Sequence, residues 1–123
     1  HTLSYTTLFR SVLILGATFK ENCSDLRNSK SIELASFISK SVKKVKIYDP
    51  VVELDDLENA ISKLNNVSSS DAVKISQSDA IILAVSHDKL ADVASSIQKE
   101  RTQDQIVFDL QNFLPKEISD WRL

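Results

Sequence analysis

The sequence predicts a three-layer α/β/α fold around a mainly parallel sheet of about five strands. Short apolar runs recur along the chain, and stretches with helical periodicity separate them, which is the alternation typical of parallel sheets. Connections of this kind are right-handed and place helices on both faces of the sheet. The first apolar run ends in Gly16, the only glycine of the 123 residues. The sheet is therefore expected to be Rossmann-like but to lack the three-glycine G-x-G-x-x-G segment that binds dinucleotides.

The first half of the chain contains two predicted strands and two predicted helices. Val12 to Leu15 is an unbroken apolar run, which is typical of a strand buried on both faces. Val45 to Tyr48 alternates apolar and polar residues like a second strand. Residues 31–42, between these strands, carry the apolar stripe of a helix, and Leu54 to Leu64, after the second strand, carry another.

The second half repeats this alternation. Ala80 to Val85 is the most apolar stretch and predicts a central strand, and Ile106 to Phe108 predicts a last buried strand. Leu90 to Ile97 between them has the stripe of a third helix. Three less regular segments are expected as a short strand at Val67, one or two helical turns in 71–77, and a short last helix opened by Pro115.

Composition limits the possible functions. The chain is 42% apolar and 26% charged with a net charge of −2, which fits one soluble globular domain. It has no basic block, which argues against nucleic acid or an anionic membrane as a partner. No apolar run approaches the roughly 20 residues that cross a bilayer. The single cysteine, Cys23, excludes an internal disulfide and fits a cytoplasmic location.

A polar loop from Thr18 to Arg27 follows the first strand. It is expected at the carboxyl end of that strand, where open α/β sheets bind ligands. Lys20 and Arg27 lie on it, and a helix begins directly afterwards with Asn28 or Ser29 as its N-cap. Cations beside a helix N-terminus form a plausible phosphate site. The spacing alone favours a solvated loop whose charges pair with one another.

The segment Gly16-Ala-Thr-Phe-Lys-Glu-Asn-Cys-Ser-Asp-Leu-Arg-Asn-Ser29 resembles the signature that opens the C-terminal, UDP-binding domain of the UDP-glucose/GDP-mannose dehydrogenase family. Within it, the residues from Glu21 to Asn28 are similar to the sequence of the branch that oxidises UDP-N-acetylhexosamines, although that branch usually has Pro in place of Ser24. Three weaker motifs follow in the order of the family: Ile47-Tyr-Asp-Pro50, Ser78 to Asp88 and Ile106-Val-Phe-Asp109. The resemblance covers Ser11 to about Leu114, so residues 11–123 are identified as this domain.

The resemblance implies specific ligand contacts. Phe19 and Lys20 match a pair that contacts the UDP part of the substrate. Arg27 matches an arginine that reaches NAD bound to a separate N-terminal domain. Lys20 would act as a point charge on the diphosphate, and Arg27 as a forked donor to phosphate oxygens. No catalytic residue is expected in this chain, because the catalytic cysteine of the family lies in the preceding domain. No metal ligand is expected either. Cys23 is therefore expected to be a packed loop thiol.

The resemblance also implies the activity of the whole enzyme. Such an enzyme oxidises the C6 alcohol of a UDP-hexose or UDP-N-acetylhexosamine to a carboxylate in two NAD-dependent steps, for polysaccharide synthesis, and works as a homodimer. This chain alone would bind the UDP-sugar weakly and catalyse nothing. The alternative is a free-standing, non-catalytic nucleotide-binding module of similar fold.

Four further polar residues near strand ends are candidates for lesser roles. In dinucleotide-binding domains, an acidic residue about 20 residues after the glycine turn binds the ribose. Asp49 follows Gly16 at a longer interval, so we expect it to form an Asp-Pro turn and not to bind ribose. Asp88 is interpreted as the cap of the next helix, and His87 as a residue bordering the ligand crevice. Asp25 either orients Arg27 or caps the loop.

The chain departs from the family after its last strand. Gln111 and Asn112 are neutral where the family generally has a glycine and a basic residue that helps to hold the substrate. Neutral groups would bind an anion more weakly than a cation does. Residues 1–10 match neither the family nor the periodicity of the fold, and they are expected to be a non-native or disordered leader.

Overall fold

Six parallel strands form one sheet in the computed structural model, which describes residues 10–122. The strands are β1 (Ser11–Leu15), β2 (Lys44–Tyr48), β3 (Val67–Ser70), β4 (Ala80–Leu83), β5 (Ile106–Asp109) and β6 (Trp121–Arg122). Their order in the sheet is β3-β2-β1-β4-β5-β6, and each neighbouring pair is parallel. The predicted α/β fold with a Rossmann-like sheet is confirmed, with β6 as an additional edge strand.

Three α-helices and three short 3-10 turns connect these strands. The helices are α1 (Lys30–Ile38), α2 (Leu54–Ile61) and α3 (Ala91–Glu100), and the 3-10 turns span Ile75–Gln77, Asp88–Leu90 and Lys116–Ile118. The predicted leader, 1–10, lies outside the described residues except for Arg10. The backbone of Arg10 extends β1, because its N–H donates to Asp79 and its carbonyl accepts from the N–H of Lys44.

The sheet separates two apolar clusters. On one side, Val12 and Ile14 of β1 pack against Ala35 of α1 and Leu57 of α2. On the other side, alternate residues of the same strand, such as Leu13, pack with residues that include Ile97 of α3. Because successive side chains of a strand point to opposite faces, a strand covered on both faces is apolar throughout. This accounts for the unbroken apolar run that predicts β1.

The first helix is shorter than predicted. It ends at Ile38 instead of Val42, and the N–H of Ser39 closes the last turn on the carbonyl of Ala35 at 2.9 Å. The side-chain amide of Asn66, which precedes β3, lies 2.9 to 3.1 Å from three carbonyls of the following turn, Ser39, Val42 and Lys43. A distant amide therefore stabilises a turn where the local periodicity would continue the helix. The second helix likewise ends at Ile61 and not at Leu64.

Along the chain, strands β2 and β3 are added on one side of β1, and strands β4, β5 and β6 on its other side, so the strand order reverses at β1. The crevice outside the carboxyl ends of strands at such a switch point is where open α/β sheets bind ligands. Gly16 leaves β1 there with a φ of 95°, and a Cβ at this position would lie 2.6 Å from the Cβ of Val85. Glycine is therefore required at the start of the loop that enters the crevice.

Candidate functional site

The loop between β1 and α1 is fixed by hydrogen bonds at both ends. The Thr18 hydroxyl donates to the carbonyl of Lys20 at 2.8 Å, and the N–H of Phe19 donates to the carbonyl of Asp25 at 2.9 Å. Ser29 is the N-cap of α1, and its hydroxyl oxygen accepts the N–H of Ile32 at 3.0 Å. Of the two caps considered from sequence, Ser29 is therefore the one used.

The residues assigned to ligands by resemblance lie on the outside of this loop. Phe19 is 61% exposed, which is unusual for a phenylalanine, and Lys20 and Arg27 are exposed as well. A shallow cavity of about 310 Å³ is lined by Phe19, Asp25, Arg27 and Asn28. The structure thus brings Phe19 and Arg27 to one cavity, while Lys20 is exposed beside it on the same loop.

Asp25 has both of the roles considered for it. Its carboxylate accepts from Nε and Nη2 of Arg27 at 3.0 and 2.9 Å, and it also accepts the backbone N–H of Arg27 at 2.9 Å. The hydrogen bonds from the Arg27 side chain, followed by the one from its backbone, hold the pKa of Asp25 below its ordinary value. Hydrogen bonding to Asp25 also raises the pKa of Arg27. The pair fixes the direction of a guanidinium that keeps further N–H donors for another ligand.

A buried polar group lies beneath the loop. Asp49, directly after β2, accepts the N–H of Ala17 at 2.7 Å and that of Val51 at 2.8 Å. The same carboxylate is 2.8 Å from Nε2 of His87, which follows β4 and is fully buried. Nε2 also lies 3.2 Å from the hydroxyl of Thr18. The expected structural role of Asp49 is confirmed, but its partners are the loop and a histidine and not only its own turn.

The position of His87 differs from the prediction. It does not border the crevice, because the loop covers its ring completely. Its Nδ1 accepts the N–H of Asn22, a loop residue, at 2.8 Å. The contact between Asp49 and His87 was missed from sequence, although both residues follow strands that flank β1. A correct strand order would have placed them at the same edge of the sheet.

The interpretation of Asp88 as a helix cap is wrong. Asp88 is the first residue of a 3-10 turn whose N-cap is His87, and that turn has no side-chain cap. The N–H of Asp88 instead donates to Oδ1 of Asn22 at 2.9 Å. The helix that follows, α3, has Leu90 as its N-cap and receives no side-chain cap hydrogen bond.

The remaining polar residues considered from sequence are Cys23, Gln111 and Asn112. Cys23 is a half-buried free thiol on the loop. Gln111 donates from its side-chain amide to the carbonyl of Ala84 at 2.9 Å, and Asn112 accepts from Nε of Arg122 at 3.1 Å. Among residues 10–122, no three His, Cys, Asp or Glu side chains are grouped to hold a metal ion.

A parallel sheet of this order, with a polar loop at the carboxyl end of its first strand, defines a ligand-binding α/β domain of the Rossmann-like class. The sequence model described as UDP-glucose/GDP-mannose dehydrogenase family, UDP binding domain, matches residues 13–116, and the chain belongs to this family. The predicted family membership is thus confirmed.

Similar proteins include two bacterial UDP-N-acetyl-D-glucosamine 6-dehydrogenases. The protein from Salmonella typhi is 39% identical over 114 residues, which cover 92% of this chain and 26% of that protein. The protein from Pseudomonas aeruginosa is 34% identical over 115 residues, 91% of this chain and 26% of that protein. The chain therefore spans about a quarter of the length of these curated relatives.

Solved structures share the fold. A UDP-D-ManNAc dehydrogenase from Pyrococcus horikoshii superposes with a TM-score of 0.67 at 24% identity, over 90% of this chain and 24% of that chain. A UDP-glucose dehydrogenase from Pyrobaculum islandicum gives a TM-score of 0.68 at 18% identity, over 92% of this chain and 24% of that one. None of the helices within residues 10–122 is long and apolar enough to cross a membrane.

Proposed function

We propose that this chain is the UDP-sugar-binding part of an NAD-dependent dehydrogenase that oxidises the C6 alcohol of a UDP-hexose or UDP-N-acetylhexosamine to a carboxylate. Its family and the names of its relatives support this proposal. NAD would be bound mainly by another domain of the enzyme, so this chain alone would be inactive. The complete enzyme would be a cytoplasmic homodimer whose product serves polysaccharide synthesis.

The exposed face of the β1–α1 loop is the observation that carries the proposal. Phe19 and Lys20 point to solvent at the switch point of the sheet, whereas the polar groups beneath them are hydrogen-bonded to one another. We propose that Lys20 contacts the diphosphate of UDP as a point charge, and that Phe19 provides apolar surface for the nucleoside. A loop that is rigid before binding loses little entropy on binding.

Arg27 is proposed to contact NAD and not UDP. Asp25 uses Nε and one terminal nitrogen of its guanidinium, so the other terminal nitrogen can donate to phosphate oxygens. Its 87% exposed side chain could reach a ligand held by a neighbouring domain.

A titration of the 123-residue chain with UDP tests the site. Calorimetry at low salt is suitable, because exposed charges are screened beyond roughly 10 Å at 0.1 M salt. Lys20→Ala should weaken UDP binding by about 1.5–3 kcal/mol, the range for a hydrogen bond to a charged group. Arg27→Ala should leave UDP binding nearly unchanged and raise the KM for NAD in the complete enzyme.

Lys99→Ala is the matched control. It removes the same charge from the last turn of α3, which lies near the amino ends of the strands and so far from the loop. Equal UDP affinities of the Lys20 and Lys99 variants would contradict the assignment of Lys20. Absence of UDP binding by the unmodified chain at millimolar concentration would contradict the proposed function itself.

A further inference from the structure

We propose that His87 is a positioning residue for UDP binding, whose neutral ring, protonated on Nε2, holds the loop that carries Lys20 in its binding conformation. The proposal rests on the proposed function, since it concerns the same loop. His87 itself is fully buried, so it acts on a ligand only through the loop.

The hydrogen bonds of the ring define its tautomer. Nδ1 lies 2.8 Å from the backbone nitrogen of Asn22, which can only donate, so Nδ1 accepts and carries no proton. The proton is therefore on Nε2, which lies 2.8 Å from a carboxylate oxygen of Asp49 and donates to it. Each ring nitrogen thus has one role: Nδ1 binds the loop and Nε2 binds the end of β2.

A second hydrogen bond runs in the opposite direction between the same two segments. Oδ1 of Asn22 accepts the N–H of Asp88 at 2.9 Å. Asn22 has a φ of 58°, a left-handed conformation that asparagine adopts more readily than most residues. We call the bonds from Asn22 to His87 and from Asp88 to Asn22 the loop clip.

The loop clip and Thr18 hold the backbone on both sides of Lys20. Asn22 lies two residues after Lys20. The Thr18 hydroxyl, 3.2 Å from Nε2 of His87, donates to the carbonyl of Lys20 at 2.8 Å. The ammonium group of Lys20 therefore extends from a backbone whose position depends on His87. Loss of this restraint would make UDP binding pay the entropy of ordering the loop.

Two amide substitutions separate this role from a general role in packing. The side-chain oxygen of His87→Asn can occupy the position of Nδ1, so it keeps an acceptor for the N–H of Asn22 and loses the donor to Asp49. The side-chain nitrogen of His87→Gln can occupy the position of Nε2, so it keeps the donor to Asp49 and loses the acceptor for Asn22. If His87 acts only through packing and its bond to Asp49, the glutamine variant should have the higher UDP affinity. If His87 positions the loop, the asparagine variant should have the higher UDP affinity.

The experiment measures UDP affinity and amide hydrogen exchange of both variants in the 123-residue chain. His87→Asn should keep UDP affinity within about threefold and keep the protection of the Asn22 amide. His87→Gln should lose that protection and weaken UDP binding by about tenfold, the upper range for one net hydrogen bond. In the unmodified chain, nitrogen chemical shifts of the imidazole should show a bare Nδ1 and a protonated Nε2.

A substitution at the exposed residue of the loop clip, Asn22, tests the same inference if the His87 variants do not fold. Asn22→Gly keeps the backbone N–H and tolerates the left-handed φ, but it removes the acceptor for Asp88. Asn66→Gly is its matched control, because Asn66 also has a left-handed φ of 51° and hydrogen bonds from its side chain, but it precedes β3 at the opposite end of the sheet from the loop. Asn22→Gly should weaken UDP binding by about threefold or more relative to Asn66→Gly.

Three outcomes would overturn the inference. Equal UDP affinities of folded His87→Asn and His87→Gln variants would do so, as would equal affinities of the two glycine variants. A protonated Nδ1 in the unmodified chain would contradict the tautomer. In each case UDP binding that depends on Lys20 would leave the proposed function intact, whereas absence of binding by the unmodified chain would reject the proposed function instead.

Discussion

Gly16→Ala should destabilise the domain strongly. Gly16 has a φ of 95°, and a Cβ there would lie 2.6 Å from the Cβ and 2.8 Å from the backbone nitrogen of Val85. A backbone atom cannot rotate away as the end of a long side chain can. The segment after β4 would therefore have to move away from the end of β1, or Gly16 would have to change its conformation.

The expected cost follows from these two contributions. An L-residue in the left-handed region costs roughly 1–2 kcal/mol, and forcing an extra methyl group into a packed site typically costs about 1–3 kcal/mol. The lower entropy of the unfolded alanine variant offsets about 0.4–1 kcal/mol. The net loss in the free energy of unfolding should therefore be about 2–4 kcal/mol.

Urea unfolding followed by far-UV circular dichroism measures this loss. The midpoint should fall while the slope with urea stays the same, because the native fold is retained. Val85→Gly removes the nearest clashing atom, so the double variant should lose less stability than the sum of the two single losses. A loss below about 1 kcal/mol for Gly16→Ala, or simple additivity of the two substitutions, would refute the reasoning.

Two further predictions concern carboxylates that accept backbone N–H groups. Asp109 is fully buried and accepts backbone N–H groups that include those of Gln111 and Leu114, so Asp109→Asn should reduce the free energy of unfolding by about 1.5–3 kcal/mol in the same urea assay. The pKa of Asp25 lies below its ordinary value of 3.8, because Arg27 hydrogen-bonds its charged form. The Asp25–Arg27 interaction should therefore be complete above pH 3.8 and be lost as the pH falls through the lowered pKa. An NMR titration of the Asp25 carboxyl carbon checks this, and Arg27→Gln should return the pKa towards its ordinary value.

The fold could be predicted because strands that are buried on both faces consist of apolar residues. The strands β1 and β4 are covered on both faces, so Val12 to Leu15 and Ala80 to Leu83 are apolar without interruption and stand out from the helical stripes around them. The edge strand β6 could not be predicted, since its two exposed residues carry no periodicity. The end of α1 is set by Asn66, a residue far along the chain, and local patterns do not contain that information.

The site could be predicted only in part for a related reason. Its location at the end of β1 follows from a strand, a glycine and a polar loop in succession. The burial of His87 against Asp49 depends on the order of three strands in space, which the alternation of elements leaves open. The ligand roles of Phe19, Lys20 and Arg27 come from the family resemblance and stay predictions until UDP and NAD binding are measured.

The composition of the two outer strands bears on aggregation. An exposed strand edge can pair with the same edge of another chain, and short or polar edge strands weaken that tendency. Within residues 10–122, one edge strand, β3, consists of Val67 followed by three serines, and the other, β6, spans the two residues Trp121 and Arg122. A chain shortened before Trp121 would expose β5, whose Val107 and Phe108 favour cross-strand pairing, as the new edge. The short last strand thus shields a sequence that would otherwise promote self-assembly into larger sheets.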